Sequence, residues 1–345
     1  MGTKRLVWVD ILNIVACAGV LLLHSTNFEI HNFSGEATLN WGIGLFSHSV
    51  FLWPVNVFFM LSGFTLIRKQ LLDYEQIKTF YKKRFSRIFL PILVWNIFYS
   101  ALIVFVRYQR GIIEPPIRIL DNFVSFGYNS YMWFFVPLIC AYLSLPFLAA
   151  FVLNSGRRTL ELFIILSLFL CWIAPIDADF SARMSFLDVY PFGTRFLVFF
   201  VAGYYFGNFD FDIAARRKIY LLALCAVAVI IVGTMWLQFF APNHYKYFIQ
   251  YTNLPCTLVS FAVFVMFKYA DWDWFLRRFK ISPEIFASLS SLSLGIYLIQ
   301  AFFFMLFAHL RLFDGNLFFK FFVMYIACAC SVFVLKRIKY LSRIV

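Results

Sequence analysis

The sequence predicts an all-α integral membrane protein: one domain over residues 1–345, about ten transmembrane helices, and both termini in the cytoplasm. Three observations predict it. The first is composition: 63% of residues are hydrophobic and 14% charged, where a soluble domain carries roughly 25% charged. No water-soluble core absorbs that excess, because single cores stop growing near ~250–300 residues. The second is that apolar residues fall into long runs separated by short polar ones. The third is where the charge lies. A formal charge of +13 would suit nucleic acid if it formed one solvated basic face. Here the basic residues occupy short stretches between apolar runs, so membrane topology accounts for them and no nucleic-acid partner is expected.

A helix needs about 20 apolar residues to cross the hydrocarbon. On that rule the spans fall near Leu6–Ser25, Ser47–Ile67, Ile88–Val106, Tyr131–Leu153 and Leu160–Ile176 in the first half. Those of the second half fall near Thr194–Asn208, Ile219–Phe240, Thr252–Tyr269, Ile285–His309 and Leu317–Leu335. Lys4 and Arg5 ahead of the first run look like the start of a signal peptide. Asp10 and Asn13 interrupt that run, however, and no small-residue cleavage site follows, so an uncleaved helix is expected. Of the 30 basic residues, 22 collect on the side that holds both termini, among them Arg68, Lys78, Arg84, Arg157, Arg216, Arg277 and Lys336. The other side holds eight, including Arg107, Arg183, Arg195, Lys246 and Arg311. This asymmetry puts the termini in the cytoplasm. The seven cysteines lie in or beside apolar runs with no Cys-x-x-Cys pair, so neither a disulfide framework nor a zinc site is indicated.

Polar residues inside a membrane helix are costly and therefore mark function. The first span carries Asp10, Asn13 and His24. Asp10 and Asn13 share a face, and His24 lies about three turns further, ~16 Å along the axis. One polar stripe therefore climbs an apolar helix. His31, His48, His244 and His309 are also expected on the outer side, but no pair has ligand spacing on one helix, and no metal is expected. In Pro54-Val-Asn-Val-Phe-Phe-Met-Leu-Ser-Gly-Phe64, Gly63 permits close helix approach and Ser62 can bond across helices. Lys78, Lys82, Lys83, Arg84 and Arg87 lead into the third span. Arg84 and Arg87 stand three apart at the membrane edge, and arginine pairs suit phosphate recognition, so a diphosphate-bearing cytosolic cofactor such as an acyl-coenzyme A would be held well there.

These residues resemble the acyltransferase family 3 membrane proteins. Asp10-x-x-Asn13 followed by His24 is similar to that family's opening signature. Phe58-Phe-Met-Leu-Ser-Gly-Phe64, Arg84-Phe-Ser-Arg87-Ile-Phe-Leu-Pro91 and Trp133-Phe-Phe-Val-Pro-Leu with Tyr142 and Pro146 are similar to its later ones. Phe200-Val-Ala-Gly203 and Ser293-Leu-Gly295-Ile-Tyr297-Leu298 continue the order, so the resemblance covers nearly the whole chain. The short form is most similar to the stand-alone enterobacterial common antigen O-acetyltransferase type. Two positions depart. The family usually has arginine where this chain has Asn13, and commonly histidine where it has Gln300.

The resemblance implies transfer of an acyl group, usually acetyl, from cytoplasmic acyl-CoA to a hydroxyl of a surface glycan or its lipid-linked precursor. His24 is then the base, or a transient acyl carrier. Arg84 and Arg87 anchor the CoA phosphates, and Asp10 and Asn13 line the path of the pantetheine arm. Ser62, Trp133, Tyr297 and Gln300 fall at depths where they line the same cavity, the last three as candidate oxyanion donors. No carboxylate partner for His24 is selected among Glu29, Glu36, Asp121 and Asp188. A glycan flippase or transporter and a non-catalytic membrane partner stand as the alternatives. The prolines of the first half lack matching counterparts in the second, where a transporter predicts repeats.

Overall fold

The computed structural model describes residues 6–33, 35–180, 195–310, 312 and 316–345, without the side chains of 69, 70 and 170–180. Every regular element among them is helical. The chain opens with α1 (Val7–His31), α2 (Leu39–Val50) and α3 (Pro54–Leu66). It continues through α4 (Tyr74–Arg84), α5 (Leu90–Gln109), the short α6 (Pro116–Val124), α7 (Phe135–Leu153) and α8 (Arg157–Phe180). The second half holds α9 (Leu197–Asn208), α10 (Ile213–Phe240), α11 (Leu254–Tyr269) and α12 (Trp272–Phe279). It closes with α13 (Pro283–Ser290), α14 (Ser293–His309) and α15 (Leu317–Leu335).

The sequence sets many of these starts locally. Side chains of Thr38, Asp73, Asp212, Asn253, Asp271, Ser282 and Asn316 each accept a bond from a first-turn amide of α2, α4, α10, α11, α12, α13 and α15. Prolines occupy the first turns of α3, α6, α11 and α13, where a missing N–H costs nothing.

Six segments are long and apolar enough to cross a membrane: Val7–His31, Leu39–Leu66, Tyr74–Gln109, Ser130–Leu153, Ile213–Phe240 and Leu317–Leu335. Two bent pairs raise the number to eight: α11 with α12, bent by 61°, and α13 with α14, bent by 48°. The ten spans expected from sequence thus become six to eight among the described residues. The difference lies in two places. The sixth expected span is realised as α9, 12 residues long and too short for a full crossing. The fifth, Leu160–Ile176, falls on α8, whose last side chains lie outside the described residues, as do Arg183, Asp188 and Arg311.

Burial ranks the helices. In α1, 56% of the apolar window is buried inside the protein, against 17% in α10, so α1 is central and α10 presents its leucines and valines outward. Between them the core is aromatic, with Phe59, Tyr99, Phe135, Phe199, Phe200 and Phe264 fully enclosed. Two glycines set its tightest seam. A Cβ on Gly63 of α3 would lie 2.0 Å from the Phe200 carbonyl oxygen of α9, and one on Gly203 would lie 1.9 Å from that of Met60. The two backbones touch reciprocally, a crossing open only to glycine. The far end of α9 is closed by Lys268, which donates to the carbonyls of Phe206 at 3.0 Å and Phe209 at 2.7 Å. Helix α1 begins on the face where α3 ends and α5 starts, called here the basic face because α4, with Lys82, Lys83 and Arg84 in its last turn, lies there. The C-terminal tail returns to the same face, where the Trp95 indole donates to the Ile344 carbonyl at 2.8 Å.

Candidate active site

Helices α1 and α14 run side by side and are pinned at two levels. At the lower level the Asn13 amide donates to the Ser290 carbonyl at 3.0 Å and to the hydroxyls of Ser290 and Ser293 at 2.9 and 3.0 Å. These serines flank the bend between α13 and α14, so Asn13 satisfies groups that the broken helix leaves open. The upper level is the imidazole. His24 Nδ1 lies 3.0 Å from Gln300 Oε1, and Gln300 Nε2 donates to the Tyr297 carbonyl at 3.1 Å. The second bond fixes the amide orientation, since only an NH₂ can donate to a carbonyl. Gln300 therefore offers its oxygen to His24, Nδ1 carries the proton, and Nε2 keeps its lone pair. This tautomer follows from the hydrogen-bond network. It is the one a general base needs.

A third contact shapes the same helix. The Tyr99 hydroxyl of α5 donates to the Leu298 carbonyl at 2.7 Å and accepts from the Phe302 amide at 3.2 Å. An unbroken helix joins that amide and carbonyl directly. The Tyr99 hydroxyl thus braces the helical turn of α14 that carries Gln300.

Two cavities approach this seam from opposite faces. The first, of about 320 Å³, opens toward the basic face and is lined by Asn13, Ser62, Thr65, Ile88, Tyr142, Ser290, Ser293 and Tyr297, with apolar walls of Phe58, Leu61, Phe134 and Leu138. Ser62 and Tyr142 share a bond of 3.3 Å, and the Arg84 guanidinium lies over the Tyr142 ring at 5.4 Å. Across the mouth, Lys336 donates to the Ser291 carbonyl and, at 3.1 Å, to its hydroxyl. Partial burial lowers the pKa of Lys336. The second cavity, of about 410 Å³, lies at the opposite face, between the end of α1, His48 of α2, Arg195 and Phe196 ahead of α9, and residues 246–252.

An aromatic septum separates the two. Phe134 and Tyr297 face the first cavity, Phe196 and Tyr251 the second. Phe59 bridges Phe134 and Phe196 with ring centroids 5.2 and 4.7 Å away, and Trp133 stacks on Tyr251 at 5.1 Å. His24 sits in this layer, 4.4 Å from Tyr131 and 6.4 Å from Tyr297, and the Tyr297 hydroxyl donates to the Tyr131 carbonyl at 2.5 Å. The imidazole lines neither cavity. Tyr297 closes the lower one beneath it.

The expected site residues therefore divide. Asn13, Ser62 and Tyr297 line the lower cavity, and Arg84 reaches its rim through Tyr142. Gln300 is fully buried against His24 and lines no cavity. It is the partner that no carboxylate was found to be, and Tyr297 spends its hydroxyl on Tyr131, so neither is placed as an oxyanion donor. Trp133 joins the septum. Asp10 is buried but does not line the cavity. The two arginines do not point together: a π-helical turn, Phe85–Phe89, follows Arg84 and leaves Arg87 exposed. Lys336, Tyr99 and Tyr142 are additions. Tyr142 was visible as part of a pattern, while Lys336 and Tyr99 come from distant helices whose meeting no local signal announces. Among the described residues, no group of three metal-ligating side chains assembles.

The family model for the acyltransferase domain matches residues 6–337, nearly the whole chain. The chain belongs to acyltransferase family 3. With its apolar helices, membership makes it a multi-pass membrane acyltransferase. Comparison with curated proteins and with solved structures gives no match. The seam of α1 and α14, both cavities and the α3–α9 crossing all fall inside the matched acyltransferase domain.

Proposed function

We propose that this acyltransferase moves an acetyl group from cytoplasmic acetyl-CoA to a hydroxyl of a surface glycan or its lipid-linked precursor, as in the enterobacterial common antigen type, with His24 as general base. The basic face is the cytoplasmic one in this reading, and acyl-CoA enters the lower cavity from it. Arg84 and Lys336 hold the phosphates at the mouth. The slim pantetheine arm suits a channel whose walls are apolar with scattered serine hydroxyls. The acceptor approaches from the opposite face.

One observation carries the proposal: a single imidazole in a septum between two cavities, its tautomer fixed by Gln300. In the reaction His24 Nε2 takes the proton of the acceptor hydroxyl as its oxygen attacks the thioester carbonyl. The tetrahedral intermediate collapses, the C–S bond breaks, and the leaving CoA thiolate takes the proton from the imidazolium. Because Tyr297 closes the lower cavity, the thioester reaches Nε2 only when this ring moves aside. The Tyr297–Tyr131 bond is the latch of that movement.

The test is label transfer from radiolabelled acetyl-CoA to surface glycan in membranes carrying the wild-type chain or His24→Ala. Loss of label with unchanged protein abundance is the expected outcome, and equal label in both removes His24 from the chemistry.

A further inference from the structure

Between α5 and α7 the chain forms a hairpin that the acyl-transfer step leaves unexplained. After α5 ends at Gln109, α6 runs back along it, and the Asn96 amide of α5 donates to the Phe123 carbonyl at the far end of α6 at 2.8 Å. Asn96 lies ~20 Å back from the end of α5. Glu114 sits near the top of this hairpin. With Asp10 it is one of two carboxylates that are buried among the described residues. A buried carboxylate is costly unless it is paired and hydrogen-bonded. One oxygen of Glu114 takes the Arg107 guanidinium from the last turn of α5, and the other takes the Tyr128 hydroxyl from beyond α6. The same guanidinium lies over the Tyr128 ring at 5.7 Å. Charge, hydroxyl and ring together clamp the exit of the hairpin to its entrance.

What the clamp holds leads straight into the septum. Phe126, between Phe123 and Tyr128, stands at φ 57°, a left-handed conformation that a bulky residue keeps only where its surroundings impose it. Asn129, itself buried, accepts from the Tyr131 amide at 3.1 Å and opens the tight turn Ser130–Phe134, and its carbonyl takes the Met132 amide at 2.9 Å. These bonds leave little slack between Tyr128 and Tyr131, which are ~10 Å apart at most. Tyr131 then does two things at the site. Its ring lies 4.4 Å from that of His24, and its carbonyl receives the Tyr297 hydroxyl at 2.5 Å. We propose that Glu114 is a positioning residue: through Tyr128 it fixes the place of the Tyr131 carbonyl, and so sets how often the Tyr297 ring leaves the top of the lower cavity. Glu114 touches no substrate in this role. The proposal rests on the acyl-transfer reading for its effect on catalysis but not for its effect on access to the imidazole.

Two measurements on the full chain in phosphatidylcholine nanodiscs test it. The first needs no catalysis. Diethylpyrocarbonate is added, and carbethoxylation of His24 is timed by peptide mass spectrometry against the exposed His309. Tyr128→Phe removes one hydroxyl and keeps the ring, while Glu114→Gln removes the charge. Each should speed modification of His24 roughly three- to tenfold, the change in open population that one lost hydrogen bond gives. Tyr108→Phe, at an exposed position of α5, should change it by no more than about twofold. Tyr297→Phe removes the latch itself and should be as fast, and adding Glu114→Gln to it should bring no further increase. Wild-type reactivity of His24 in Tyr128→Phe overturns the proposal, as do effects of Glu114→Gln and Tyr297→Phe that multiply. If Glu114→Gln fails to accumulate in the membrane, Tyr128→Phe decides alone. The second measurement supplies acetyl-CoA without acceptor and follows free CoA, released as water adds to the thioester to give acetate and the thiol. A closed septum keeps water from the thioester, so the ratio of hydrolysis to transfer should rise about threefold or more in both variants. The KM for acetyl-CoA should stay unchanged, because Arg84 and Lys336 at the rim are untouched. An unchanged ratio with transfer intact removes Glu114 from the latch. If the wild-type chain neither transfers nor hydrolyses acetyl while the reactivity of His24 follows Tyr128 and Glu114, the acyl-transfer reading fails and the positioning role stands.

Discussion

The two cavities differ less in size, about 320 and 410 Å³, than in where they keep their charge. The lower one is walled by aromatic and aliphatic side chains with small hydroxyls, and its cations, Arg84 and Lys336, touch lining residues from the rim. The upper one has Arg195, Lys246 and two imidazoles in the wall itself. A wall without charge lets a long flexible ligand slide, with recognition left to the end that stays outside. A wall with charge holds a polar ligand in one pose. His24 lies between the two kinds of surface, and in the function proposed above the donor is gripped at the rim of the lower one, far from its reacting carbonyl.

The largest effect falls on the septum. His24→Ala removes the base and should lower the acetylation rate by about 10²–10⁴-fold, with little change in the apparent KM for acetyl-CoA, since the donor's grip is elsewhere. Steady-state label transfer at varied acetyl-CoA checks both halves. Gln300→Ala keeps the base but frees its tautomer, and a loss of roughly 10–100-fold is expected. Gln300→Asn, too short to reach the imidazole, should resemble Gln300→Ala. Activity at the wild-type level in either variant would mean that Nδ1 needs no partner.

The α3–α9 crossing sharpens the comparison from the side of stability. A Cβ at Gly203 would sit 1.9 Å from a backbone oxygen that no rotamer change can move. Gly203→Ala therefore forces the helices apart and should cost about 1–3 kcal/mol, seen as reduced abundance in the membrane. Gly42, whose added Cβ meets nothing within 4 Å, is the control, and Gly42→Ala should leave abundance unchanged. Because Phe59, Phe196 and Phe200 pack along this seam, the septum should loosen with it.

Much of this was legible in the sequence, and the residues that were not share a cause. Apolar runs gave the helices, because burying twenty residues in hydrocarbon is a local requirement. The stripe Asp10–Asn13–His24 was visible because helical periodicity is local too. Depth alone places Gln300 at the level of the site but not against His24, since that bond spans 276 positions in the chain and depends on how α14 is rotated. Three-residue spacing pairs Arg84 with Arg87 only on a regular α-helix, and the π-turn that follows Arg84 separates them. Among the described residues six to eight spans stand against the ten expected, because hydropathy measures composition, whereas α9 is a 12-residue helix and the end of α8 lies outside the described side chains. Lys336 has no local mark at all; it matters because α15 ends beside Ser291.

The rim of the lower cavity carries the next prediction. Arg84→Ala and Lys336→Ala should each raise the KM for acetyl-CoA, by roughly tenfold for one lost charge-assisted contact, with kcat changed less. Arg87→Ala, at an exposed position, should change KM less than twofold. Equal effects of the two arginine substitutions would mean that the π-turn does not sort them.

The smallest effect is expected at Tyr99, and it separates placement of Gln300 from its chemistry. The Tyr99 hydroxyl stands between the Leu298 carbonyl and the Phe302 amide, on either side of Gln300 in α14. Tyr99→Phe preserves the buried ring and removes only the oxygen. The amide and carbonyl it served lie one helical turn apart and have each other as partners in a regular helix, so the net energetic loss should be no more than about 1 kcal/mol. Losing this brace from α5 loosens the turn bearing Gln300 and its hold on Nδ1. Acetylation should fall by a few fold through kcat, with the KM for acetyl-CoA and the preference among acceptors both retained, because neither cavity has lost a wall. A Tyr99→Phe chain that instead lost its acceptor preference would show that α14 sets the upper cavity as well as the imidazole, and that the two surfaces are less independent than their linings indicate.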